Sequence, residues 1–188
     1  HQRLGLRVGA VVLCGGRSSR MGQSKAMLPI GDEVMLQRIC LSLAPLVQAV
    51  TVVAAFGQPL PDLSNAWIAD RQGQRLACPS REILASEVPL IQIVRDPIEF
   101  RGPLAGLAVG LAQFTGEVDC VYASACDTPL LRPAFVQALI DSLGDADIAV
   151  PYDGQFYPGP HKFDLIMQRA AFDWLKQKLS NHKSHFLR

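Results

Sequence analysis

The chain contains five short runs of mostly apolar residues, each ending at or close to glycine, aspartate or proline. Runs of this length, bounded by turn-forming residues, are typical of buried β-strands. We therefore predict five strands, which are VGAVVL (8–13), AVTVVAAF (49–56), LIQIV (90–94), DCVYASACD (119–127) and ADIAVPY (146–152).

Three longer segments place their apolar residues on one side of a helix. The predicted helices cover 35–46, 102–114 and 132–144. Pro45 is expected to end the first helix because proline removes a backbone donor. Pro103 lies in the first turn of the second helix, and Gly144 lies at the carboxyl end of the third, positions where these two residue types are favoured.

Strands that alternate with helices favour parallel pairing, because each return to the same edge of a sheet needs a crossover. We predict an α/β fold with an open, mostly parallel, Rossmann-like sheet that has helices on both faces. Residues 1–188 are expected to form a single domain. Within it, four prolines predict a surface excursion over 57–90 with one short helix at 80–86, and the packing of 153–188 stays open.

Composition and charge narrow the functional classes. Apolar residues make up 49% and charged residues 19% of the 188 residues, which is typical of a globular chain. The formal net charge of +1 favours neither nucleic acid nor a membrane surface as a partner, so any anion site has to be local. The apolar stretch 103–114 is too short to span a bilayer. The early apolar run ends at Gly15-Gly16-Arg17 rather than at a cleavage site, so no signal peptide is predicted.

The five cysteines are odd in number and contain no C-x-x-C pair. This pattern is more typical of reduced thiols in a cytoplasmic protein than of a disulfide framework or a zinc site. No Cys–His arrangement is visible around Cys126, so burial in the fourth strand is favoured over a nucleophilic role. His161, His182 and His185 have no metal-ligand spacing and are expected on the surface.

Three predicted strands run directly into glycine or aspartate, in VVLCGG (11–16), IVRDP (93–97) and SACDTP (124–129). In an open parallel sheet, ligands bind in the crevice beyond the carboxyl ends of the strands. We therefore expect these three segments to converge on one crevice.

The first of these segments opens a turn rich in glycine and positive charge. Gly15 and Gly16 let the backbone approach a ligand closely and can turn N–H groups toward an anion. Arg17, Arg20 and Lys25 add positive charge nearby. The spacing matches neither a Walker A loop nor G-x-G-x-x-G. A strand–helix turn with solvated cations is the simpler alternative.

Two aspartates lie at the other strand ends, Asp96 after the third strand and Asp127 after the fourth. A carboxylate at Asp127 suits Mg²⁺, which takes one or two carboxylates together with phosphate oxygens and water. The competing interpretation is that Asp127 caps the next helix and that Asp96, before Pro97, forms an ordinary turn. Asp96 and Asp127 are both expected at the sheet edge where the cationic loop lies, and this shared location favours a metal–phosphate site.

The chain contains LCGGRSSRMGQSK (13–25), RGPLAGL (101–107) and ACDTPLLRP (125–133), in this order. The first resembles the signature L-A-G-G-x-S-x-R-M-G-x-D-K of the molybdenum cofactor guanylyltransferases, within the wider nucleotidyltransferase fold, and the others resemble that family's next two motifs. The resemblance covers roughly residues 8–152, and three ordered motifs are far more specific than one. A cytidylyltransferase for the same pterin and a nucleotide-binding protein without catalysis stay as alternatives.

This resemblance implies a Mg²⁺-dependent transfer of GMP from GTP to the phosphate of molybdopterin, and leaves room for a protein that delivers the molybdopterin. Lys25, Arg20 and Asp127 are the implied catalytic residues: Lys25 and Arg20 would hold the departing pyrophosphate, and Asp127 would hold the metal. The implied nucleotide-binding residues are Leu13, Cys14, Gly15, Gly16, Lys25, Asp96 and Asp127.

Three positions depart from the family pattern. Cys14 stands where the family has alanine, Ser24 where it has aspartate, and Ala54-Ala55 where an asparagine is common. The family's closing N-x-N-T-P-E segment does not occur in residues 1–188. The resemblance therefore covers the nucleotide side of the site better than the pterin side.

Overall fold

A six-stranded sheet forms the centre of the computed structural model, and two further strands form a hairpin. The structure describes residues 6–15, 24–63, 90–96, 102–114, 116, 118–151, 164–172 and 174–175. The strands are β1 (Val8–Leu13), β2 (Pro29–Ile30), β3 (Glu33–Val34), β4 (Ala49–Ala55), β5 (Leu90–Asp96), β6 (Cys120–Ala125), β7 (Ile148–Ala149) and β8 (Leu165–Gln168). The helices are α1 (Met35–Leu43), α2 (Pro103–Leu111) and α3 (Pro133–Leu143).

The strand order in the large sheet is β5-β4-β1-β6-β8-β7. The first four strands in this order are parallel, while β8 is antiparallel to β6 and β7 is antiparallel to β8. β1 lies between β4 and β6 and is buried along its whole length. Burial on both faces explains why this strand is apolar throughout instead of alternating with polar residues.

Helices cover both faces of the sheet. α1 and α3 pack on one face against residues such as Val12 and Tyr122, and α2 packs on the other against Val11 and Val53. Val11 and Val12 enter different cores because successive residues of a strand point to opposite faces. The predicted fold class, a mostly parallel α/β sheet with helices on both faces, is confirmed.

The helix boundaries follow the predicted signals. α1 ends at Leu43, before Pro45, and α2 begins with Pro103. α3 is followed by Gly144, whose φ of +51° is a conformation that glycine adopts readily. The first two predicted helices extend a few residues too far at their carboxyl ends, since apolar residues continue into the turns that follow.

The predicted strand over 146–152 is shorter than expected. Within its described part, 146–151, only Ile148–Ala149 pairs, and its neighbour is the antiparallel strand β8. The apolar pattern predicts neither β8 nor the β2–β3 hairpin, because runs of two to four residues are too short to show a period. β8 shows that the C-terminal segment contributes a strand to the central sheet.

Some predictions fall on residues that the structure does not describe. They include Gly16 and Arg20, most of the excursion over 57–90 with its short helix, and the three histidines. Among the residues that are described, no helix is long and apolar enough to cross a membrane. Four cysteines are described, and all of them are free and buried: Cys14, Cys40, Cys120 and Cys126. The predicted burial of Cys126 is therefore confirmed.

Candidate functional site

The chain changes direction across the sheet next to β1. It passes from β1 to β4 and β5 on one side, then returns to the other side of β1 to form β6. The crevice at such a switch point, beyond the carboxyl ends of the strands, is where open α/β sheets bind ligands. Backbone bonds hold the strand ends together here: Cys14 N–H donates to Val53 at 2.8 Å, and Cys126 N–H donates to Leu13 at 2.9 Å.

Lys25 and Asp127 meet at this edge. The Lys25 ammonium donates to Asp127 Oδ2 at 2.8 Å, although the two residues are 102 positions apart in the chain. Their side chains are 32% and 18% exposed, so the pair faces the crevice from partly buried positions. Lys25 begins a 3-10 turn whose next residue, Ala26, is completely buried and anchors it. The structure thus brings together two of the three predicted catalytic residues.

Leu13, Cys14 and Gly15 follow one another at the end of β1. The side chains of Leu13 and Cys14 are buried in the two cores, so a ligand can meet only their backbone. The Cys14 N–H already donates to Val53, which leaves the carbonyl oxygens, each with a second lone pair, as acceptors. A Cβ added at Gly15 would meet only the Ala55 nitrogen, at 3.7 Å, within the described part of the chain. Packing against the described residues therefore does not require glycine at this position, whereas a closely approaching ligand would.

Asp96 is the last residue of β5 and pairs in register with Ala55 of β4. It lies at the same edge of the sheet as Lys25 and Asp127, two strands away from β1. The preceding residue, Arg95, donates from Nη1 to the carbonyl oxygens of Ala55 and Gln58, at 3.0 and 2.7 Å. The structure therefore places Asp96 on the crevice edge, at its outer side.

Gln58 is a residue of this edge that the sequence analysis missed. Its side chain accepts a hydrogen bond from Ala55 N–H at 3.0 Å. It also donates to the Cys14 carbonyl at 2.9 Å and to the Ser24 hydroxyl at 3.0 Å. In the sequence Gln58 stands between Gly57 and Pro59, and a polar residue beside glycine and proline is common in turns. The sequence therefore gives no specific indication of its role.

A second missed group lies beside Asp127. Asp164 Oδ1 accepts hydrogen bonds from Tyr122 at 2.6 Å and from Ser124 at 2.7 Å. The Ser124 hydroxyl also contacts the Thr128 hydroxyl at 3.1 Å, and Thr128 donates to the Ala125 carbonyl at 3.0 Å. These bonds brace the turn that carries Asp127. Burial and the Asp164 charge raise the pKa of the Tyr122 hydroxyl, so it stays protonated.

Cys14, the first departure from the family pattern, belongs to a buried group of thiols. A hydrogen bond with Cys126, followed by burial, raises the pKa of Cys14 well above its ordinary value. Burial also raises the pKa of the Cys40 thiol. Thiols held in the neutral form are poor nucleophiles. The position of Cys14 therefore points to packing beneath the crevice and not to covalent chemistry.

The residues at the edge fit a divalent cation that arrives with a ligand. No group of three or more His, Cys, Asp or Glu side chains within the described ranges could hold an ion by itself. One carboxylate is nevertheless enough for Mg²⁺ when phosphate oxygens and waters complete its shell. Asp127 accepts from the Lys25 ammonium at 2.8 Å, and its side chain is 18% exposed, so this carboxylate lies at the surface of the crevice.

The mostly parallel sheet, its switch point beside β1 and the helices on both faces define the class of the nucleotide-diphospho-sugar transferase fold. Residues 10–188 match the family model described as the MobA-like NTP transferase domain. The chain belongs to this family.

Individual relatives agree with this assignment. A probable molybdenum cofactor guanylyltransferase from Mycobacterium avium is 30% identical over 156 residues, which cover 80% of this chain and 66% of the relative. The chain thus spans slightly less than two thirds of that relative's length.

Two solved structures share the fold. Molybdopterin-guanine dinucleotide biosynthesis protein A from Archaeoglobus fulgidus has a TM-score of 0.56 at 18% identity, covering 93% of this chain and 74% of that chain. Rv0371C from Mycobacterium tuberculosis, solved as a complex with manganese, has a TM-score of 0.54 at 18% identity, covering 97% and 84%.

Proposed function

We propose that this chain transfers GMP from GTP to the terminal phosphate of molybdopterin and releases pyrophosphate. The observation that carries the proposal is the Lys25–Asp127 pair, held at 2.8 Å beside the backbone of Cys14 and Gly15 at the switch point. A cation and a carboxylate at the carboxyl edge of the sheet suit a nucleoside triphosphate with its metal ion. The Mycobacterium avium relative, a probable molybdenum cofactor guanylyltransferase, supports a guanine nucleotide and the pterin as the two substrates.

The reaction needs positioning more than acid–base chemistry. A phosphate oxygen of molybdopterin forms a bond to the α-phosphorus of GTP, and the bond from that phosphorus to the bridging oxygen of the β-phosphate breaks. The attacking phosphate is already ionised near neutral pH, so a strong general base is unnecessary. Lys25, together with Arg20, would stabilise the charge on the departing pyrophosphate.

Asp127 would hold the divalent ion. Bound Mg²⁺ would neutralise part of the triphosphate charge. The manganese complex of Rv0371C supports a divalent ion in this fold, and Mg²⁺ is our assignment for this chain. The backbone groups of Leu13, Cys14, Gly15 and Gly16 would bind the base and ribose, and Asp96 would contact the nucleotide from the outer side of the edge.

The free thiols of the described cysteines support a cytoplasmic location for this reaction, where thiols stay reduced. A protein that delivers molybdopterin is a further expected partner, because the pterin side of the reaction needs a source.

Calorimetric titration with GTP, CTP, ATP and UTP, each with and without Mg²⁺, tests the proposal. With Mg²⁺ present, we expect GTP to bind more tightly than the other three nucleotides. Without Mg²⁺, GTP should bind only weakly. Adding molybdopterin to the complex with Mg²⁺ and GTP should release pyrophosphate. A preference for CTP would indicate the cytidylyltransferase alternative. Tight binding of GTP without pyrophosphate release would indicate a binding protein without catalysis.

Replacement of Asp127 by alanine should abolish Mg²⁺-dependent pyrophosphate release, because Asp127 is the carboxylate assigned to the metal. The matched control is Asp141→Ala, which should leave the rate unchanged. Asp141 is an exposed carboxylate on α3 that bonds only Gln137 among the described residues. Near-normal turnover of D127A would contradict the metal assignment. The measurement is pyrophosphate release by the wild type and both variants over a range of Mg²⁺ concentrations.

A further inference from the structure

The Gln58 side chain joins three separate segments of the chain. Its Oε1 accepts a hydrogen bond from Ala55 N–H at 3.0 Å, at the end of β4. Its Nε2 donates to the Cys14 carbonyl at 2.9 Å, after β1, and to the Ser24 hydroxyl at 3.0 Å, before the 3-10 turn. All three partners lie at the crevice edge, so the amide forms the centre of a small hydrogen-bonded network.

The partners themselves fix the orientation of this amide. A backbone N–H can only donate and a carbonyl can only accept, so Oε1 has to face Ala55 and Nε2 has to face Cys14. Both hydrogens of Nε2 are then used, because the second one points to Ser24. Only glutamine and asparagine carry one acceptor and two donors on a planar amide, and asparagine is one methylene group shorter.

Arg95 braces the backbone that presents Gln58. Its Nη1 donates to the carbonyl oxygens of Ala55 at 3.0 Å and of Gln58 at 2.7 Å. The Gln58 N–H in turn donates to the Ala55 carbonyl at 3.2 Å. Arg95 of β5 therefore fixes the backbone from Ala55 to Gln58. The Gln58 side chain in turn fixes Cys14 and Ser24 relative to that backbone.

Cys14 and Ser24 stand on either side of residues 16–23, and Ser24 directly precedes Lys25. We infer that Gln58 is a positioning residue of the nucleotide site: it sets Ser24 relative to Cys14 and thereby aims Lys25 at the phosphates. This inference rests on the proposed function. It also gives Ser24 a role, since its hydroxyl supplies the acceptor that an aspartate at this position would supply as a carboxylate.

The first test compares two glutamine-to-methionine variants. Q58M keeps the approximate length of the side chain and removes the amide. It should raise the dissociation constant of Mg²⁺–GTP by about tenfold or more, because Cys14 and Ser24 lose their shared donor. Q113M makes the same exchange on the exposed surface after α2, where the amide donates only to Val109 among the described residues, and should change nothing. An unchanged dissociation constant in Q58M would overturn the inference.

A double-mutant cycle with Ser24 tests the contact itself. S24A should weaken GTP binding in the wild-type background and add less than about twofold in the Q58M background, because interacting residues give non-additive effects. S24D keeps an acceptor for Nε2 and should bind GTP within about threefold of the wild type. Fully additive effects of S24A and Q58M would show that the two side chains act separately, contrary to the inference.

Amide hydrogen exchange without nucleotide separates this inference from the proposed function. In Q58M the Ala55 amide, and the amides of Met27 and Leu28 that close the turn after Ser24, should exchange about tenfold faster than in Q113M. Core amides of β1 should be unaffected. If no nucleoside triphosphate binds the wild type, the proposed function fails, while this exchange pattern still supports or overturns the positioning role of Gln58.

Discussion

Cys14 and Ser24 differ from the family's motif, and each supplies a hydrogen-bonding group to the crevice edge. Cys14 contributes its backbone carbonyl to Gln58 at 2.9 Å and its backbone N–H to Val53 at 2.8 Å, while its thiol packs inward. Ser24 contributes an acceptor oxygen to Gln58 at 3.0 Å. Both residues therefore take part in hydrogen bonds at the crevice edge, although they differ from the letters of the family's motif.

Replacement of Cys14 by alanine, the residue usual in the family, should leave nucleotide binding unchanged within about twofold, because the backbone makes the contacts. The loss of one buried sulfur should lower the free energy of unfolding by about 1 kcal/mol. Calorimetric titration with GTP and urea unfolding measure the two effects. A large loss of binding with normal stability would show instead that the thiol itself takes part in the site.

At the scale of elements, α2 lies unusually close to the sheet. A Cβ added at Gly110 would come within 2.6 Å of Val11 Cγ1 and 3.0 Å of Val53 Cγ2, both in the buried core beneath α2. At Gly106 an added Cβ would meet Leu13 Cδ2 at 3.4 Å, an ordinary contact. The close approach of helix and strands therefore depends on Gly110, one turn further along α2 than Gly106, the second glycine of the RGPLAGL motif.

Gly110→Ala and Gly106→Ala form a matched pair that tests this packing. Both replacements favour the helix by about 1 kcal/mol, because alanine has the higher helix propensity. G106A should therefore be neutral or slightly stabilising. G110A should instead lower the free energy of unfolding by about 1–3 kcal/mol, because Val11 is branched and enclosed and cannot move away. Equal unfolding midpoints in urea would contradict the close packing of α2.

For the molecule as a whole, the core between the sheet and the helices α1 and α3 holds several ionisable groups in their neutral form. Burial raises the pKa of Cys120 to about 12, and a hydrogen bond with Cys126 followed by burial raises that of Cys14. Burial also raises the pKa values of Cys40 and Tyr122. In the unfolded chain the same thiols have ordinary pKa values near 8.5. Folding therefore keeps protons that the unfolded chain releases in alkaline solution.

This difference predicts that the protein loses stability as the pH rises above about 8.5. The unfolded state then binds fewer protons than the folded state, so the free energy of unfolding falls, by up to about 1.4 kcal/mol per pH unit for each such group. Urea unfolding under reducing conditions between pH 7 and 10 measures the slope. C120A removes one group and should flatten it, whereas the exposed-site variant Q113M should not.

Much of the fold follows from the sequence because its signals are local. The apolar runs of β1, β4 and β6 and the proline and glycine residues around α1, α2 and α3 depend on neighbours within a few positions. β8 and the β2–β3 hairpin could not be predicted in the same way. The two strands of the hairpin are neighbours in the chain, but each has only two residues and shows no period. β8 becomes a strand because β6, distant in the chain, supplies the other half of its hydrogen-bonded ladder.

The candidate site divides along the same line. Lys25 and Asp127 could be chosen from the sequence, because their residue types and strand-end positions suit phosphates and a metal ion, and parallel strands bring their carboxyl ends to one edge. Gln58 and Asp164 could not. Gln58 follows a turn and Asp164 directly precedes β8, and neither belongs to a recognisable motif. Their importance comes from hydrogen bonds that span 44 positions between Gln58 and Cys14 and 40 between Asp164 and Ser124.

The sequence by itself thus determined the class of fold, the edge of the sheet where chemistry is expected, and the charged groups there. Periodicity, turn residues and strand order are written locally or follow from general rules of chain connection. Only the tertiary structure decided that Lys25 contacts Asp127 at 2.8 Å and that Gln58 joins Cys14 to Ser24. Such contacts depend on the mutual placement of remote segments to within an ångström, which only the packed sheet and helices define.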